Sequence, residues 1–137
     1  MIGVVVVTHG QLAAELVNAA EAIVGDLPRF AAVSIGWHDD TEDAREEIRQ
    51  AIARLQGDSG VLVLTDMFGG TPTNLGLSFV EPDRVEVVTG VNLPMLIKLS
   101  SLRPAQPMLL AVARELRETG RNAIHVASDL LRSEAKA

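Results

Sequence analysis

The chain has 137 residues, of which 47% are hydrophobic, and this is enough to bury the core of one compact domain. Its formal charge is −6 and it shows no positive stripe of the kind that nucleic-acid binding needs, so no nucleic-acid partner is expected. The absence of cysteine excludes disulfides, thiolate catalysis and cysteine metal sites.

Strands and helices are predicted to alternate along the chain. Continuous apolar, β-branched runs predict buried strands, and apolar residues at helical spacing predict the helices between them. In order, the elements are a strand over 2–7, a helix from 12 to about 25, a strand over 30–35, a helix over 41–56, a strand over 61–65, a short helix over 73–79, a strand over 85–89, and helices over 94–102 and 107–119. An apolar stretch over 122–127 and a polar tail over 128–137, which extends as a frayed helix, follow.

This order predicts an α/β fold of flavodoxin-like type, with a mainly parallel sheet flanked by helices and with residues 1–137 in a single domain. By topology alone, the stretch 122–127 would be a parallel fifth strand. The first apolar run, 1–7, is too short to span a membrane and has no basic leader or cleavage site. A cytoplasmic location is therefore expected.

The functional site is expected beyond the carboxyl ends of the first and third strands. In a flavodoxin-like sheet the strand order reverses between these two strands, and sites form at that reversal. The loops that leave them carry His9 and Asp66, so topology places both side chains at one crevice. The imidazole of His9 is a nucleophile. A carboxylate that accepts from its Nδ1–H leaves the Nε2 lone pair free, and Asp66 is the acid at hand.

Groups that suit phosphate are predicted around this pair. Gly69 and Gly70 allow close approach of the backbone, and the helix that follows presents unpaired N–H groups and a positive dipole end. Thr71 is a predicted N-cap, with Pro72 at the first helical position, and its hydroxyl is a further donor to phosphate. The helix after Gly10 supplies a second such end. Because phosphoryl transfer needs chiefly positioning and electrostatic support, these groups favour a transient phosphohistidine.

Three motifs resemble those of the IIA proteins of the mannose/fructose-type sugar phosphotransferase system. They are the strand that ends in Thr8-His9-Gly10, the segment Asp66-Met67-Phe68-Gly69-Gly70-Thr71-Pro72-Thr73-Asn74, and Gly90-Val91-Asn92-Leu93-Pro94-Met95-Leu96. The resemblance spans nearly the whole chain. It implies that His9 receives phosphate from the phosphocarrier HPr and passes it to a IIB partner. It also implies that Asp66 hydrogen-bonds His9 and that Thr71 lies at the phosphate.

The same resemblance implies a homodimer in which the last strand is exchanged between subunits and runs antiparallel to the others. That places the stretch 122–127 on the sheet of the partner. Phe68 stands where Trp is familiar in sugar-transporting relatives, and because a ring is kept its packing is expected to be preserved. The chain lacks the linker and fused IIB domain of some members, so a separate IIB protein and only indirect membrane contact, through a permease complex, are expected. Sugar transport and a regulatory phosphorelay both remain open as the output.

Other function classes remain open as well. The phosphotransfer subunit of dihydroxyacetone kinase shares the fold and a histidine at the end of the first strand, but the segment 90–96 favours the IIA interpretation. A non-enzymatic, flavodoxin-like binding module would need a Ser/Thr/Gly-rich phosphate loop after the first strand, and residues 8–12 make a poor one. A receiver domain that accepts phosphate on Asp66 is less favoured, because no acidic pair follows the first strand. No cofactor or metal is expected.

The third motif and the last histidine have structural interpretations as well as functional ones. Gly90, Asn92 and Pro94 either shape a tight turn before a helix or line the rim of the site. His125 lies in the apolar stretch near the C-terminus, where an interface or packing role is expected.

The segment around Trp37 and His38 is less informative. Trp37 is either an anchor for a partner protein or a packing residue. His38 is expected in a polar loop before a helix, with Asp39 or Asp40 as the N-cap. One histidine beside two adjacent acids makes poor ligand geometry, so a metal site is not expected there.

Overall fold

The computed structural model describes residues 1–36 and 39–136, and strands and helices alternate through most of this part of the chain. In chain order the elements are β1 (Gly3–His9), α1 (Leu12–Val24), β2 (Phe30–Ile35), α2 (Thr41–Leu55), β3 (Val61–Thr65), α3 (Gly70–Leu77), β4 (Val85–Val88), α4 (Leu93–Leu102), α5 (Leu109–Asn122) and α6 (Ala127–Lys136). A short 3₁₀ turn, Arg103–Ala105, connects α4 to the segment before α5. None of the helices described here is both long and apolar enough to cross a membrane.

The four strands form one parallel sheet in the order β2-β1-β3-β4. The order reverses between β1 and β3, which confirms the expected α/β architecture of a parallel sheet flanked by helices. In the register of these two strands, Val7 lies opposite Thr65, the last residue of β3. β1 continues for two residues beyond that pair and ends at His9. The residue that follows β3 is therefore brought level with the end of β1.

The core lies on both faces of β1 and β3, where successive side chains point to opposite sides. On one face, Val4 and Val6 pack with Leu62 and Leu64 against α1, α4 and α5. On the other face, the alternate valines of the same two strands pack against α2 and α3. Aliphatic side chains fill both layers, which is how a chain with 3% aromatic residues supports a sheet that is buried on both faces.

The structure corrects the predicted start of α3. The helix begins at Gly70, three residues before the predicted start at residue 73, and Gly69 precedes it as the N-cap. Thr71 is therefore not the N-cap but the second helical residue, and Pro72 is the third rather than the first. The physical reason is that Gly69 and Gly70 both have positive φ angles, +96° and +81°, so the chain turns at the glycines themselves.

Helix caps elsewhere follow the sequence more closely. The side chain of Asp40 accepts a hydrogen bond from the N–H of Glu42 at 2.7 Å, so Asp40 is the N-cap of α2, one of the two candidates. Asn92 caps α4 by accepting from the N–H of Met95 at 3.2 Å. A side-chain oxygen in these positions satisfies N–H groups that the first helical turn leaves free.

The apolar stretch 122–127 does not form a strand within this chain. Asn122 is the last residue of α5 and Ala127 is the first of α6, so the parallel fifth strand that topology alone would give is not formed. The linking residues leave Ile124 and Val126 with 78% and 62% of their surface exposed. A strand needs a hydrogen-bonding neighbour, and no strand among the described residues pairs with this stretch. The predicted helical tail is present as α6.

Candidate functional site

The side chains of His9 and Asp66 meet at the carboxyl end of the sheet. His9 is the last residue of β1, and Asp66 follows the last residue of β3. The ring nitrogen Nδ1 of His9 lies 2.7 Å from Oδ2 of Asp66. The main-chain N–H of His9 donates to the same oxygen at 3.0 Å. Two bonds to one carboxylate oxygen thus hold both the backbone and the ring of a single histidine.

This geometry assigns the tautomer of the ring. Because a carboxylate oxygen can only accept, Nδ1 of His9 carries a proton, and in the neutral ring Nε2 is the nitrogen that keeps its lone pair. The His9 side chain is 52% exposed while that of Asp66 is 13% exposed, so the acid lies beneath a ring that is open to solvent. The arrangement presents a nucleophilic nitrogen, fixed in orientation, to an incoming group.

The second oxygen of the Asp66 carboxylate, Oδ1, is buried and has no hydrogen-bond partner among the residues that the structure describes. Burial raises the pKa of Asp66, but the hydrogen bonds from the ring and backbone of His9 and the charge of its ring outweigh burial. The pKa of Asp66 therefore lies below its ordinary value, and the group is a carboxylate at neutral pH. It is equipped to stabilise positive charge on the imidazole.

Gly70 brings the start of α3 against the imidazole. A Cβ atom at this position would lie 3.2 Å from Cε1 and 3.3 Å from Nε2 of His9. At Gly69, by contrast, an added Cβ would meet nothing within 4 Å. The free ring nitrogen therefore faces the N-terminal end of an eight-residue helix, where unpaired N–H groups and the positive dipole end lie. Such an end is suited to the oxygens of a phosphoryl group.

Two other residues predicted to bind phosphate, Thr71 and Gly10, are placed differently from each other. Thr71 is exposed in the first turn of α3, one residue after Gly70. The N–H of Gly10 donates to the carbonyl of Ile35 at 2.9 Å, so this amide is taken up by the edge of the sheet. Amide donors from the α1 side can begin only after Gly10.

Thr8 is a residue of this site that sequence reasoning missed. Its buried hydroxyl oxygen accepts a hydrogen bond from the N–H of Ala13 at 2.7 Å, which ties the end of β1 to the first turn of α1. The turn that carries His9 is closed by this bond. A threonine directly before a strand-to-helix turn was the available signal, because its hydroxyl can reach the free N–H groups of the helix.

An apolar rim and a groove lie beside the histidine. Met67 and Phe68 follow Asp66, and both side chains are exposed. Packing of the Phe68 ring was expected, but 79% of this residue is exposed. Phe68 instead lines one end of a groove of about 590 Å³ between the free edge of β4 and α5. Neither His9 nor Asp66 lines this groove, so it is a neighbour of the crevice that holds this pair and not part of it.

The third motif builds the turn between β4 and α4. Asn92 caps α4 and also donates from its side-chain amide to the carbonyl of Gly120 at 3.2 Å, which joins this turn to α5. Pro94 is the second helical residue. Gly90 and Asn92 line the groove.

Three further predictions concern Trp37, His38 and His125. Those for Trp37 and His38 lie outside the described residues. His125 is exposed in the link between α5 and α6. Within residues 1–36 and 39–136 there is no group of three or more histidine or acidic side chains that could hold a metal ion.

The chain is similar to proteins of one family. The family described as "PTS system fructose IIA component" (EIIA-man) matches residues 3–116. The PTS system fructose-specific EIIA component of Bacillus subtilis (strain 168) is 35% identical over 104 residues, which are 75% of this chain and 71% of that protein. The PTS system mannose-specific EIIAB component of Escherichia coli (strain K12) is 32% identical over 124 residues, 90% of this chain. This chain spans 38% of the length of that longer protein.

The fold is also found among solved structures. The mannose/sorbose specific IIA subunit of the phosphotransferase system from Enterococcus faecalis superposes with a TM-score of 0.81 at 28% sequence identity. The superposition covers 91% of this chain and 93% of that one. The similarity in sequence and the similarity in fold therefore point to the same family.

Proposed function

Because this chain belongs to the family of PTS system fructose IIA components, we propose that it is a phosphocarrier that holds a phosphoryl group on Nε2 of His9. As an EIIA component of a sugar phosphotransferase system it is a phosphotransferase component. In the proposal it receives the group from HPr in the cytoplasm and passes it to a IIB partner. The observation that carries the assignment to His9 is the 2.7 Å contact between its Nδ1 and Asp66, which leaves Nε2 as the free nucleophile.

The transfer step follows from the tautomer. The Nε2 lone pair of His9 attacks the phosphorus of the phosphoryl group on the donor protein, and the bond between that phosphorus and the donor atom breaks with its electron pair returning to the donor atom. The His9 ring keeps its proton on Nδ1 and becomes positively charged, and the carboxylate of Asp66 balances this charge. Attack by a nucleophile of the IIB partner on the same phosphorus returns the electron pair to Nε2. No metal ion or cofactor is needed in this sequence.

The start of α3 supports the phosphoryl oxygens in this proposal. A group on Nε2 projects toward Gly70, because the backbone of Gly70 is the neighbour of that nitrogen. The unpaired N–H groups at the helix start and the hydroxyl of Thr71 are the donors that we assign to the phosphate. Charge that develops on the oxygens meets the positive end of the helix.

The relay is tested with purified phosphoenolpyruvate, enzyme I and HPr and with labelled phosphate. We expect the native chain to be labelled and His9→Ala to stay unlabelled. A phosphohistidine is acid-labile and stable in base, whereas an acyl phosphate on Asp66 is base-sensitive. Persistent labelling of His9→Ala, or a base-sensitive label on the native chain, would remove the assignment to His9.

We also propose that two copies associate by exchanging the stretch 122–127, which then pairs antiparallel with β4 of the other subunit. Among the described residues no strand pairs with the second edge of β4, and beyond Val85, which forms a bridge with Glu81, this edge is open to a further strand. The groove of about 590 Å³ runs along this edge. The exposed side chains of Ile124 and Val126 supply the apolar surface that such a groove can bury.

Light scattering with size-exclusion chromatography tests the dimer. We expect the native chain to have the mass of a dimer and Ile124→Lys to shift it toward a monomer. Ile23→Lys is the matched control, because Ile23 is also an exposed isoleucine but lies on α1 away from the groove. A native monomer, or equal shifts in both variants, would contradict the exchange.

A further inference from the structure

Two threonine hydroxyl groups, joined in a series of hydrogen bonds, are buried beneath the loop that carries Asp66. Thr65, the last residue of β3, and Thr73, in the first turn of α3, are both fully buried. Their hydroxyl oxygens are 2.8 Å apart. The hydroxyl of Thr73 also donates to the main-chain carbonyl of Met67, the residue after Asp66. This series of hydrogen bonds therefore connects the end of β3, through the first turn of α3, to the loop between them.

The direction of these bonds follows from counting protons. A threonine hydroxyl has one proton, and a carbonyl oxygen can only accept. Thr73 therefore gives its proton to the Met67 carbonyl, and Thr65 donates to the oxygen of Thr73. Each bond in such a series polarises the next, which strengthens the last one.

The hydrogen bond from the Thr73 hydroxyl to the Met67 carbonyl anchors the loop after β3. Among the described residues, this loop has few other hydrogen bonds. Outside the ladder bonds of the sheet, no main-chain group of residues 66–68 forms a main-chain hydrogen bond with another residue that the structure describes. The side chains of Met67 and Phe68 are exposed and contribute little packing. The Thr73 hydroxyl therefore fixes the peptide between Met67 and Phe68, one residue beyond Asp66, and through it the direction in which the carboxylate points.

We propose that Thr73 is a positioning residue for phosphoryl transfer, which acts by holding the Asp66 loop so that the carboxylate keeps its contact with Nδ1 of His9. The inference rests on the proposed function for its effect on transfer, but not for its effect on the histidine ring. Thr73 touches neither His9 nor the phosphate in this scheme. Its influence passes through the Met67 carbonyl to Asp66, and from Asp66 to the tautomer of the ring.

The test compares three variants in the full chain. Thr73→Val removes the hydroxyl at nearly constant volume, and Thr73→Ser restores it. Ser100→Ala is the matched control, because Ser100 also donates a hydroxyl proton to a carbonyl, that of Ile97 at 2.7 Å, but on α4. The ring nitrogens of His9 are observed by ¹⁵N NMR, with assignment by their loss in His9→Ala, and the rate of labelling from phosphorylated HPr is measured in parallel.

We expect Thr73→Val to show a mixture of the two His9 tautomers and a labelling rate about fivefold lower, as suits the loss of one hydrogen bond. Thr73→Ser and Ser100→Ala should keep the native ring signals and rate. Should Thr73→Val fail to fold, Thr65→Val provides the test, with the same change in the ring at about half the size.

Native ring signals in Thr73→Val, or equal effects of Thr73→Val and Thr73→Ser, would overturn the proposal. Loss of thermal stability alone, without a change in the ring, would make Thr73 a structural residue only and would overturn it too. If the native chain is not labelled at all, the proposed function fails. The NMR comparison then still decides whether Thr73 positions the pair.

Discussion

The two ends of the parallel sheet each hold a nitrogen-bearing side chain by hydrogen bonds, but they leave it in different states. At the carboxyl end, one nitrogen of His9 is bound by Asp66 and the ring is 52% exposed. At the amino end, Arg103 is only 3% exposed. Its Nη1 donates to the carbonyls of Ile2 at 3.0 Å and Pro28 at 2.8 Å.

The surroundings of Arg103 suit structure and not chemistry. Its guanidinium lies over the ring of Phe30, 4.6 Å from the centroid, and its Nε is buried without a hydrogen-bond partner among the described residues. Burial, together with the charge of Arg29, lowers the pKa of Arg103 to about 10. The difference between the two ends of the sheet shows what phosphoryl transfer requires of a polar side chain. Its hydrogen-bond partner must leave one nitrogen free and open to solvent, as Asp66 does for His9.

The largest effect is expected at the amino end, on stability. Arg103→Ala leaves two carbonyls without their donor and opens a cavity, so we expect the free energy of unfolding to fall by about 3 kcal/mol. Arg103→Lys keeps the charge but lacks the guanidinium fork, and should lose about half as much. Urea denaturation measures both. The folded fraction of each variant should still be labelled at the native rate, and a loss of labelling in folded Arg103→Ala would break the comparison between the ends.

At the carboxyl end of the sheet, we expect a substitution to change the rate of phosphoryl transfer more than the stability of the fold. Asp66→Asn removes the charge that balances the imidazolium and allows the amide to donate to Nδ1, which would favour the wrong tautomer. We expect phosphoryl transfer to slow roughly 10- to 100-fold, as for other acids that orient a histidine. The stability should change by less than about 1 kcal/mol, because the pair is partly exposed. Rapid-quench labelling measures the transfer rate, and urea denaturation measures the stability. A native transfer rate in Asp66→Asn would refute the orienting role of Asp66.

A pair of adjacent glycines sharpens the comparison within the site. Gly69→Ala and Gly70→Ala both place a side chain at positive φ, which costs roughly 1 kcal/mol each. Only at Gly70 does the added methyl group meet the imidazole, near Nε2. We expect Gly70→Ala to slow labelling about tenfold beyond Gly69→Ala, in line with the cost of misplacing groups at a reacting centre. Equal rates for the two variants would mean that Nε2 does not face the helix start during transfer.

The smallest effect is a difference in pH dependence. The pKa of Asp66 is lowered in the folded chain from an ordinary value of 3.8, so its carboxylate adds stability above that value and loses it as the pH falls through the folded pKa. The stability difference between the native chain and Asp66→Asn should therefore be constant near neutral pH and shrink in acid. The difference for Arg103→Ala should stay level over the same range, since the guanidinium is charged throughout. Denaturation curves at several pH values check both, and a growing Asp66→Asn difference in acid would reverse the sign of the linkage.

Much of the fold could be predicted because each element is encoded by neighbouring residues. The strands over 30–35 and 61–65 have the predicted bounds. In the strand over 61–65, a continuous apolar run favours extended backbone at a position in the sheet that is buried on both faces. The start of α3 was missed because the turn depends on the dihedral angles of two glycines, which spacing alone does not reveal. The stretch 122–127 forms no strand within the single chain, because a strand depends on a neighbour and not only on its own residues.

By itself, the sequence determined which residues could do the chemistry: one histidine after a buried strand, one acid after another, and glycines before a helix. Only the tertiary structure decided that His9 and Asp66, 57 positions apart, make a 2.7 Å contact, because strand order and register set the distance between the ends of β1 and β3. Tertiary structure also decided that the Thr73 hydroxyl lies under Met67. A hydrogen bond needs its two partners within about 3 Å at the right angle, and residues distant in sequence reach that geometry only when the packed core holds the loops in place.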